Sequence, residues 1–379
     1  MSMPVPLNPA RLTPAASLNR VRIADLPGLD WRLRGRMAYD LLSTEAVAAE
    51  IRRHADQLGL ADADQLRATE LPRRLARCLV AAEPIIRATA DEITRHMGRS
   101  LGALLVTLKR GDAASRQARD DWDDSYWTHW QSIRSVWLGG GLASGKLGER
   151  LVFYARDALV RQGVDCALQL ACYPSLLPLI GAARSVAGDD RPVLVCDFGQ
   201  SYLKRACAGY EHNRLATLHT LPHVPITWPL PQAETSDPEE RSLRLAERMA
   251  DSMVAAIDEC HAHGLNLAPR LAVSIASYVK DGAPMPLQGG AYAGLHTVDP
   301  NLEQWLAARV SELAGRSFSI MLLHDGTGAA RAYAEAPAAA VITLGTALGI
   351  GFCCGTGLPR PLAPVLTITP LIAAPTPAP

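Results

Sequence analysis

The interpretation of this chain begins with one stretch, Val193-Leu194-Val195-Cys196-Asp197-Phe198-Gly199-Gln200-Ser201-Tyr202-Leu203-Lys204. Apolar residues with high β-strand propensity are followed by an acid, a glycine, a hydroxyl and a lysine. This pattern predicts a strand and then a tight turn. This set of groups can hold a metal-bound polyphosphate against backbone amides. A second glycine turn lies far downstream, at Ile342-Thr343-Leu344-Gly345-Thr346-Ala347-Leu348-Gly349. Two such hairpins can grip one nucleotide from opposite sides.

Composition excludes several classes of protein. The 379 residues, 48% of them apolar, leave room for two to three domains with cores of their own. Lys+Arg and Asp+Glu are equal at 38 each, so no overall field attracts nucleic acid or an anionic membrane. The 8 cysteines form no CxxC pair, which favours reduced thiols and a cytoplasmic location.

Both ends of the chain are rich in proline. Residues 1–30 are expected to form a loose arm, and residues 1–22 lack the apolar region of a secretory signal. Residues 336–359 carry no charge, but their glycines and β-branched residues favour buried strands and a tight hairpin over a membrane span. Residues 361–379 are expected to be a proline-rich tail, disordered at 375–379.

Apolar spacing predicts a mainly helical first third, with helices over 38–60, 71–78 and 85–108. The acidic, tryptophan-rich residues 119–130 are predicted to form a surface loop, and the tryptophans at 122, 127, 130 and 137 to serve packing or an interface. Further strands are predicted at 133–138, 164–170, 215–221, 271–276 and 317–323, and helices at 147–162, 176–184, 242–263 and 301–313. A proline-rich loop is expected at 225–239. The alternation across 190–350 predicts an α/β fold.

The motifs carry a resemblance to a known superfamily. Asp197-Phe-Gly-Gln-Ser-x-x-Lys204 resembles the first phosphate motif of the actin, hexokinase and heat-shock chaperone ATPases, and 344–349 resembles the second. The segment 324–330, which reads His-Asp-Gly-Thr-Gly-Ala-Ala, resembles the connecting motif in which sugar kinases place the catalytic aspartate. Within the superfamily the chain is most similar to ROK-type sugar kinases, through the segments 101–105, 136–141 and 179–183.

These motifs follow one another in an unusual order. In the family the first phosphate motif stands near the N-terminus and the triple-glycine adenosine motif comes last, whereas here the triple glycine comes first. The resemblance therefore implies a two-lobed, ribonuclease-H-like fold that is circularly permuted, which is feasible because termini lie at the surface and often close together. Lobe one would be 191–335, and lobe two would combine 31–190 with the second phosphate hairpin at 336–360.

The resemblance also implies roles for individual residues. Asp197 would hold Mg²⁺ through water, and Asp325 would accept a proton from the acceptor hydroxyl. The residues that would contact ATP are Gly199, Gln200, Ser201, Lys204, Gly345, Thr346, Gly139, Gly140 and Gly141. The implied activity is transfer of the γ-phosphate of Mg-ATP to a sugar or a similar small molecule, and the implied assembly is a monomer or a homo-oligomer.

Some features leave alternatives open. Residues 140–146 fit the start of a P-loop, but Leu147 stands where a hydroxyl must reach magnesium. The run Cys260-His261-Ala262-His263 suggests a metal site, but it lies at a helix end, where histidines complement the helix dipole. His324 stands where sugar kinases usually carry Asn, and Ala347 replaces a glycine. Because a Gly-Glu-x-Gly-His sugar clamp is absent from the sequence, a non-catalytic nucleotide-binding regulator or a chaperone-like ATPase module is the alternative function.

Overall fold

The computed structural model describes residues 6–23, 28, 30–226, 237–286, 289–354 and 359–371. The described helices are α1 Tyr39–Leu42, α2 Thr44–Arg53, α3 Ala55–Leu58, α4 Leu71–Cys78, α5 Pro84–Arg110, α6 Ala113–Gln117, α7 Asp124–Ser132, α8 Gly145–Arg161, α9 Leu177–Ser185, α10 Pro238–Ala262, α11 Leu302–Ala314 and α12 Asp325–Arg331. The strands are β1 Ser135–Gly139, β2 Ala167–Leu170, β3 Val193–Phe198, β4 Tyr202–Glu211, β5 Arg214–Thr220, β6 Val224–Pro225, β7 Arg270–Ile275, β8 Val279–Lys280, β9 Ala283–Pro284, β10 Ser319–His324, β11 Ala339–Leu344, β12 Leu348–Cys353 and β13 Leu362–Pro370. The protein is therefore a mixed α/β protein.

Contacts divide the chain into two compact units. Unit one comprises Met1–Ala10, Ala15–Leu177 and Ala336–Cys354, and unit two comprises Arg11–Pro14, Pro178–Glu335 and Gly355–Pro379. Unit two begins well before residue 191, the boundary expected from the sequence. The reason is α9, whose Gly181 packs so closely on Gly328 of α12 that a side chain at Gly181 would overlap the Gly328 carbonyl.

Unit two is built on one mixed sheet. Its strands run in the order β10-β7-β3-β4-β5-β13, and β6 adds to β4. Neighbours β3 and β4 are antiparallel, whereas β3, β7 and β10 are parallel to one another. Helices α10 and α11 bury apolar side chains against this sheet, among them Met249, Met253 and Leu306 against Leu194 and Phe198. Asp237 caps the start of α10, and Gly315 ends α11 in the left-handed conformation.

Unit one has a smaller sheet with the order β12-β11-β1-β2. Strand β11 pairs with β12 as an antiparallel hairpin and with β1 in parallel, with Gly139 opposite Thr343. The segment near residue 345 thus lies beside the segment near residue 140, as the permutation hypothesis predicts. Residues 336–354 form this hairpin, and in the described part of the chain every helix is too short or too polar to cross a membrane.

Three expectations from the sequence are wrong. Residues 6–23 do not form a loose arm, because Leu18, Val21 and Ile23 are fully buried. The Asn19 side chain also donates to the Leu348 carbonyl at 3.0 Å and accepts from the Leu348 N–H at 2.9 Å, which ties this segment to β12.

The tryptophan-rich segment is not a surface loop. Residues 124–132 form α7, and Trp122, Trp127 and Trp130 are buried. Trp130 packs edge-on against Phe352 with ring centroids 5.3 Å apart. The apolar area of the rings therefore outweighs the acidic composition, and Asp123 serves as the N-cap of the helix.

The tail is also more ordered than its composition suggests. Residues 362–370 form β13, which pairs in parallel with β5 because the alternation of Thr367, Ile368 and Thr369 suits a strand. The rest of the predicted tail, including 375–379, lies outside the described residues, as does most of the loop predicted at 225–239.

The pairing of β1 with β11 can be tested by crosslinking. Ser135 and Ala339 are in register, so the variant Ser135→Cys/Ala339→Cys, made in a Cys353→Ser background, should form a disulfide under mild oxidation. Peptide mapping would detect it. The matched control Ser135→Cys/Thr343→Cys should stay reduced, because Thr343 pairs with Gly139 at the far end of the strand. Equal crosslinking of both pairs, or of neither, would contradict the register.

Candidate active site

The polar side chains of the candidate site lie at one edge of the sheet of unit two. Asp197 is near the end of β3, Ser274 is near the end of β7, and Asp325 directly follows β10. Because β3, β7 and β10 are parallel neighbours, their carboxyl ends meet at this edge. The register places Asp197 opposite Ser274, although 77 positions separate them in the sequence.

Asp197 is a buried carboxylate with two partners. Its side chain is 2% exposed. Lys204 Nζ lies 2.8 Å from Oδ2, and Ser274 Oγ donates to Oδ1 at 2.8 Å. Lys204 is the cross-strand partner of Asp197 in the β3–β4 hairpin, so the turn itself sets this ion pair. Both oxygens are therefore satisfied, as a buried charge requires.

Asp325 is a second carboxyl group in the same region, and it begins α12. Burial, followed by the negative charge of Asp197, raises the pKa of Asp325 from its ordinary value of 3.8 to about 7. The Gly326 N–H and the charge of Lys204 act in the opposite direction but do not outweigh these effects. Because the side chain is still 24% exposed, a small molecule can reach it. A carboxyl group with this pKa suits general base catalysis near neutral pH.

His324 precedes Asp325 and caps the start of α12. Its Nδ1 accepts a hydrogen bond from the Thr327 N–H at 3.2 Å. The ring of Tyr278 stacks on the imidazole, with centroids 4.4 Å apart and 18° between the planes. Burial lowers the pKa of His324 to about 3, so the ring is neutral.

The glycine turn after β3 is held by the loop that follows β9. The Gly199 N–H donates to the Tyr202 carbonyl at 3.2 Å, which closes the turn. The Gln200 side chain donates to the Ala276 carbonyl at 3.2 Å and accepts from the Ala291 N–H at 3.0 Å. The Tyr292 hydroxyl donates to the Gly199 carbonyl at 2.8 Å. The side-chain amide of Gln200 thus links the turn to two other segments. Any contact between Gln200 and phosphate would therefore be made by the backbone of this residue.

The two glycine segments predicted for adenosine and phosphate lie together in unit one. Gly139 ends β1, and Gly345 and Thr346 form the turn between β11 and β12. Gly140 has a φ of 90° and lies so close to Leu344 that any side chain would overlap the Leu344 backbone. Gly140 is therefore needed for packing. A Cβ atom added to Gly141 would have no other atom within 4 Å, so there is open space beside this residue.

The alternative sites have ordinary structural explanations. Cys260 is buried in the core of unit two, His261 contacts Arg316, and His263 Nδ1 lies 2.7 Å from the Glu259 carbonyl. Among the described residues, no three His, Cys, Asp or Glu side chains are grouped as they would be to hold a metal ion. In the P-loop-like segment, Lys146 is largely exposed and pairs with Glu149.

Sequence reasoning missed several residues of this site. Ser274 is the only polar residue between Leu271 and Ala276, and a lone hydroxyl in a buried strand is a signal that could have found it. Ser277 is 2% exposed, and its hydroxyl has no partner among the described residues, so it is available to a bound polar group. Tyr278 and Tyr292 contribute through contacts between loops, for which the sequence carries no local signal.

A scan against protein-family models and a search of the curated proteins found no match for this chain.

The raised pKa of Asp325 predicts a change in stability. Because the folded protein favours the protonated carboxyl, the contribution of Asp325 to stability should fall as the pH rises from about 4 to about 7. Asp325→Asn removes this penalty, so the variant should be more stable than wild type above about pH 7, by at most about 4 kcal/mol at about 1.4 kcal/mol per pKa unit. At about pH 4 the difference should vanish. Denaturant unfolding at several pH values measures it.

Asp258→Asn, at an exposed position of α10, is the matched control for loss of a carboxylate. It should leave stability nearly unchanged at every pH. An Asp325→Asn variant that is destabilised to the same extent at low and high pH would show that Asp325 is not held in its protonated form.

Proposed function

We propose that the protein is an ATP-dependent phosphotransferase that moves the γ-phosphate of Mg-ATP to a hydroxyl group of a sugar or a similar small molecule. The observation that carries the proposal is the group of Asp197, Lys204 and Asp325 at one sheet edge, in which an accessible carboxyl has a pKa of about 7 beside a buried Asp–Lys pair. Perturbed pKa values of this kind concentrate at functional sites.

The topology of the two units supports a duplicated fold. In unit two an antiparallel hairpin, β3–β4, is flanked by β7 and then β10, both parallel to β3. In unit one the hairpin β11–β12 is flanked by β1 and then β2, both parallel to β11. A helix joins the two flanking strands in each case, α11 in unit two and α8 in unit one. We interpret the units as two ribonuclease-H-like lobes of an actin-like ATPase, with the second lobe assembled from both ends of the chain.

The residues of the site fit a magnesium ion held mainly by a substrate. Asp197 and Asp325 offer two negative charges to one lysine, so phosphate oxygens at this edge would need a further cation. Mg²⁺ commonly binds one or two carboxylates through water together with substrate phosphates, and it needs no cage of protein ligands. Asp197 would hold it in this way, and the ion would neutralise charge on the transferring phosphoryl group.

The remaining steps fall to side chains of unit two. Lys204 would contact the terminal phosphates, together with backbone groups of the turn Gly199-Gln200-Ser201. Asp325 would accept the proton of the acceptor hydroxyl as its oxygen attacks phosphorus. In unit one, Gly139, Gly141, Gly345 and Thr346 are the proposed nucleotide contacts, with Gly140 setting the packing of β1 on β11.

The function is tested by incubating the protein with ATP, Mg²⁺ and a panel of hexoses and measuring ADP and the phosphorylated product. We expect one or more acceptors to raise ADP formation well above the level with ATP alone. Tight ATP binding with no acceptor-dependent ADP would instead favour a nucleotide-binding regulator.

Asp325→Ala separates chemistry from binding. The variant should keep the Kd for ATP within about twofold, while kcat falls by a factor of about 100 or more, because a general base contributes about that much. Lys204→Met is the matched comparison and should weaken ATP binding. A retained kcat in Asp325→Ala would refute its role as the base.

A further inference from the structure

The imidazole of His324 is fixed in place by contacts with Tyr278 and Thr327. It ends β10 and is 6% exposed. Tyr278 covers one face of the ring. On the edge of the ring, Nδ1 accepts from the Thr327 N–H, and Thr327 Oγ1 lies 3.2 Å from the same atom. The ring therefore has one orientation with respect to α12.

These contacts also determine where the ring carries its proton. A neutral imidazole has one N–H, and a nitrogen that accepts a hydrogen bond from a backbone amide cannot carry it. Since Nδ1 is the acceptor, the proton lies on Nε2. Protonation of the second nitrogen is disfavoured by burial, which lowers the pKa of His324.

Nε2 lies close to the proposed base. It is 3.3 Å from Asp325 Oδ1, near enough for a hydrogen bond, but the N–H is not aligned for one in this structure. Such contacts in ligand-free sites often shorten when the substrate binds. The Gly326 N–H contacts the same oxygen at 2.6 Å. Among the described residues, both polar contacts of this carboxyl are to Oδ1, which leaves Oδ2 for the acceptor hydroxyl.

We propose that His324 is a positioning residue for the phosphoryl transfer reaction, whose Nε2–H fixes Asp325 so that Oδ2 faces the acceptor hydroxyl. The proposal rests on the proposed function for the role of Asp325, while the contact itself can be tested without any substrate. His324 does not exchange a proton in this role. It stands where sugar kinases usually carry Asn.

Other charged or titratable groups lie near the same carboxyl and must stay unchanged in the test. They are Asp197 from β3, Lys204 from β4 and, from the loop after β9, the hydroxyl of Tyr292, whose pKa is raised by burial and then by the charges of Asp197 and Asp325. None of them is replaced in the variants below, so a change in Asp325 reports on the imidazole.

Two substitutions separate the two nitrogens of the ring. In His324→Asn the amide oxygen can take the place of Nδ1 and keep the helix cap, but nothing replaces Nε2. In His324→Gln the amide nitrogen can take the place of Nε2, but the cap is lost. NMR of ¹³C-labelled aspartate, assigned with Asp325→Asn and recorded without nucleotide, gives the pKa of Asp325. Thermal unfolding and steady-state kinetics complete the comparison.

We expect His324→Asn to raise the pKa of Asp325 and keep a wild-type Tm, because the carboxylate loses a donor while the helix keeps its cap. Its kcat should fall about 10- to 100-fold with the KM for ATP within about twofold, as for a misplaced catalytic group. His324→Gln should keep the pKa and most of kcat but have a lower Tm.

The proposal is overturned if the pKa of Asp325 is the same in wild type and His324→Asn, or if kcat follows Tm across both variants. The pKa measurement decides the positioning role even where no acceptor is phosphorylated, so failure of the proposed function and failure of this inference are distinguishable.

Discussion

The Asp197 carboxylate lies buried at the ends of parallel strands, and its charge governs the chemistry of the site. Lys204 and Ser274 each bind one of its oxygens, which makes the buried charge tolerable. Burial, together with this charge, raises the pKa of Asp325. In the proposed function, the Asp197 charge would thus serve both to hold a phosphate-bound cation and to give a base matched to neutral pH. The energetic penalty of keeping two carboxyls together is consistent with selection for function over stability.

The strand order explains how residues far apart in the chain form this group. Parallel strands direct their carboxyl ends to one edge, so Asp197 on β3 and Asp325 after β10 come to the same edge with only one strand, β7, between β3 and β10. Hydrogen bonds from Ala291 to Gln200 and from Tyr292 to Gly199 then join the glycine turn to the loop after β9. The proposed permutation of the motifs would leave the strand order within each sheet unchanged. The hairpin β3–β4 keeps β7 and β10 beside it, and the hairpin β11–β12 keeps β1 and β2.

Local signals were enough to locate most of the elements. The strand at 193–198, the helix at 71–78 and the hairpin near 345 follow from apolar spacing and turn residues, which act over a few positions. The partner of Asp197 did not follow, because the Ser274 contact depends on strand register. The packing of residues 6–23, the burial of α7 and the pairing of β13 with β5 were missed for the same reason: Asn19, Trp130 and Thr367 are held by partners distant in the sequence. The neutral state of His324 likewise depends on burial that the motif does not reveal.

We propose that Asp325 acts as a general base whose pKa is raised by burial and by the charge of Asp197. The pH dependence of kcat/KM for phosphoryl transfer at saturating Mg²⁺ tests this role. We expect log kcat/KM to rise with a slope of about one, about tenfold per pH unit, and to level off above about pH 7. A profile that is flat from about pH 5 to about pH 8, or that levels off near the ordinary carboxyl pKa of about 4, would contradict it.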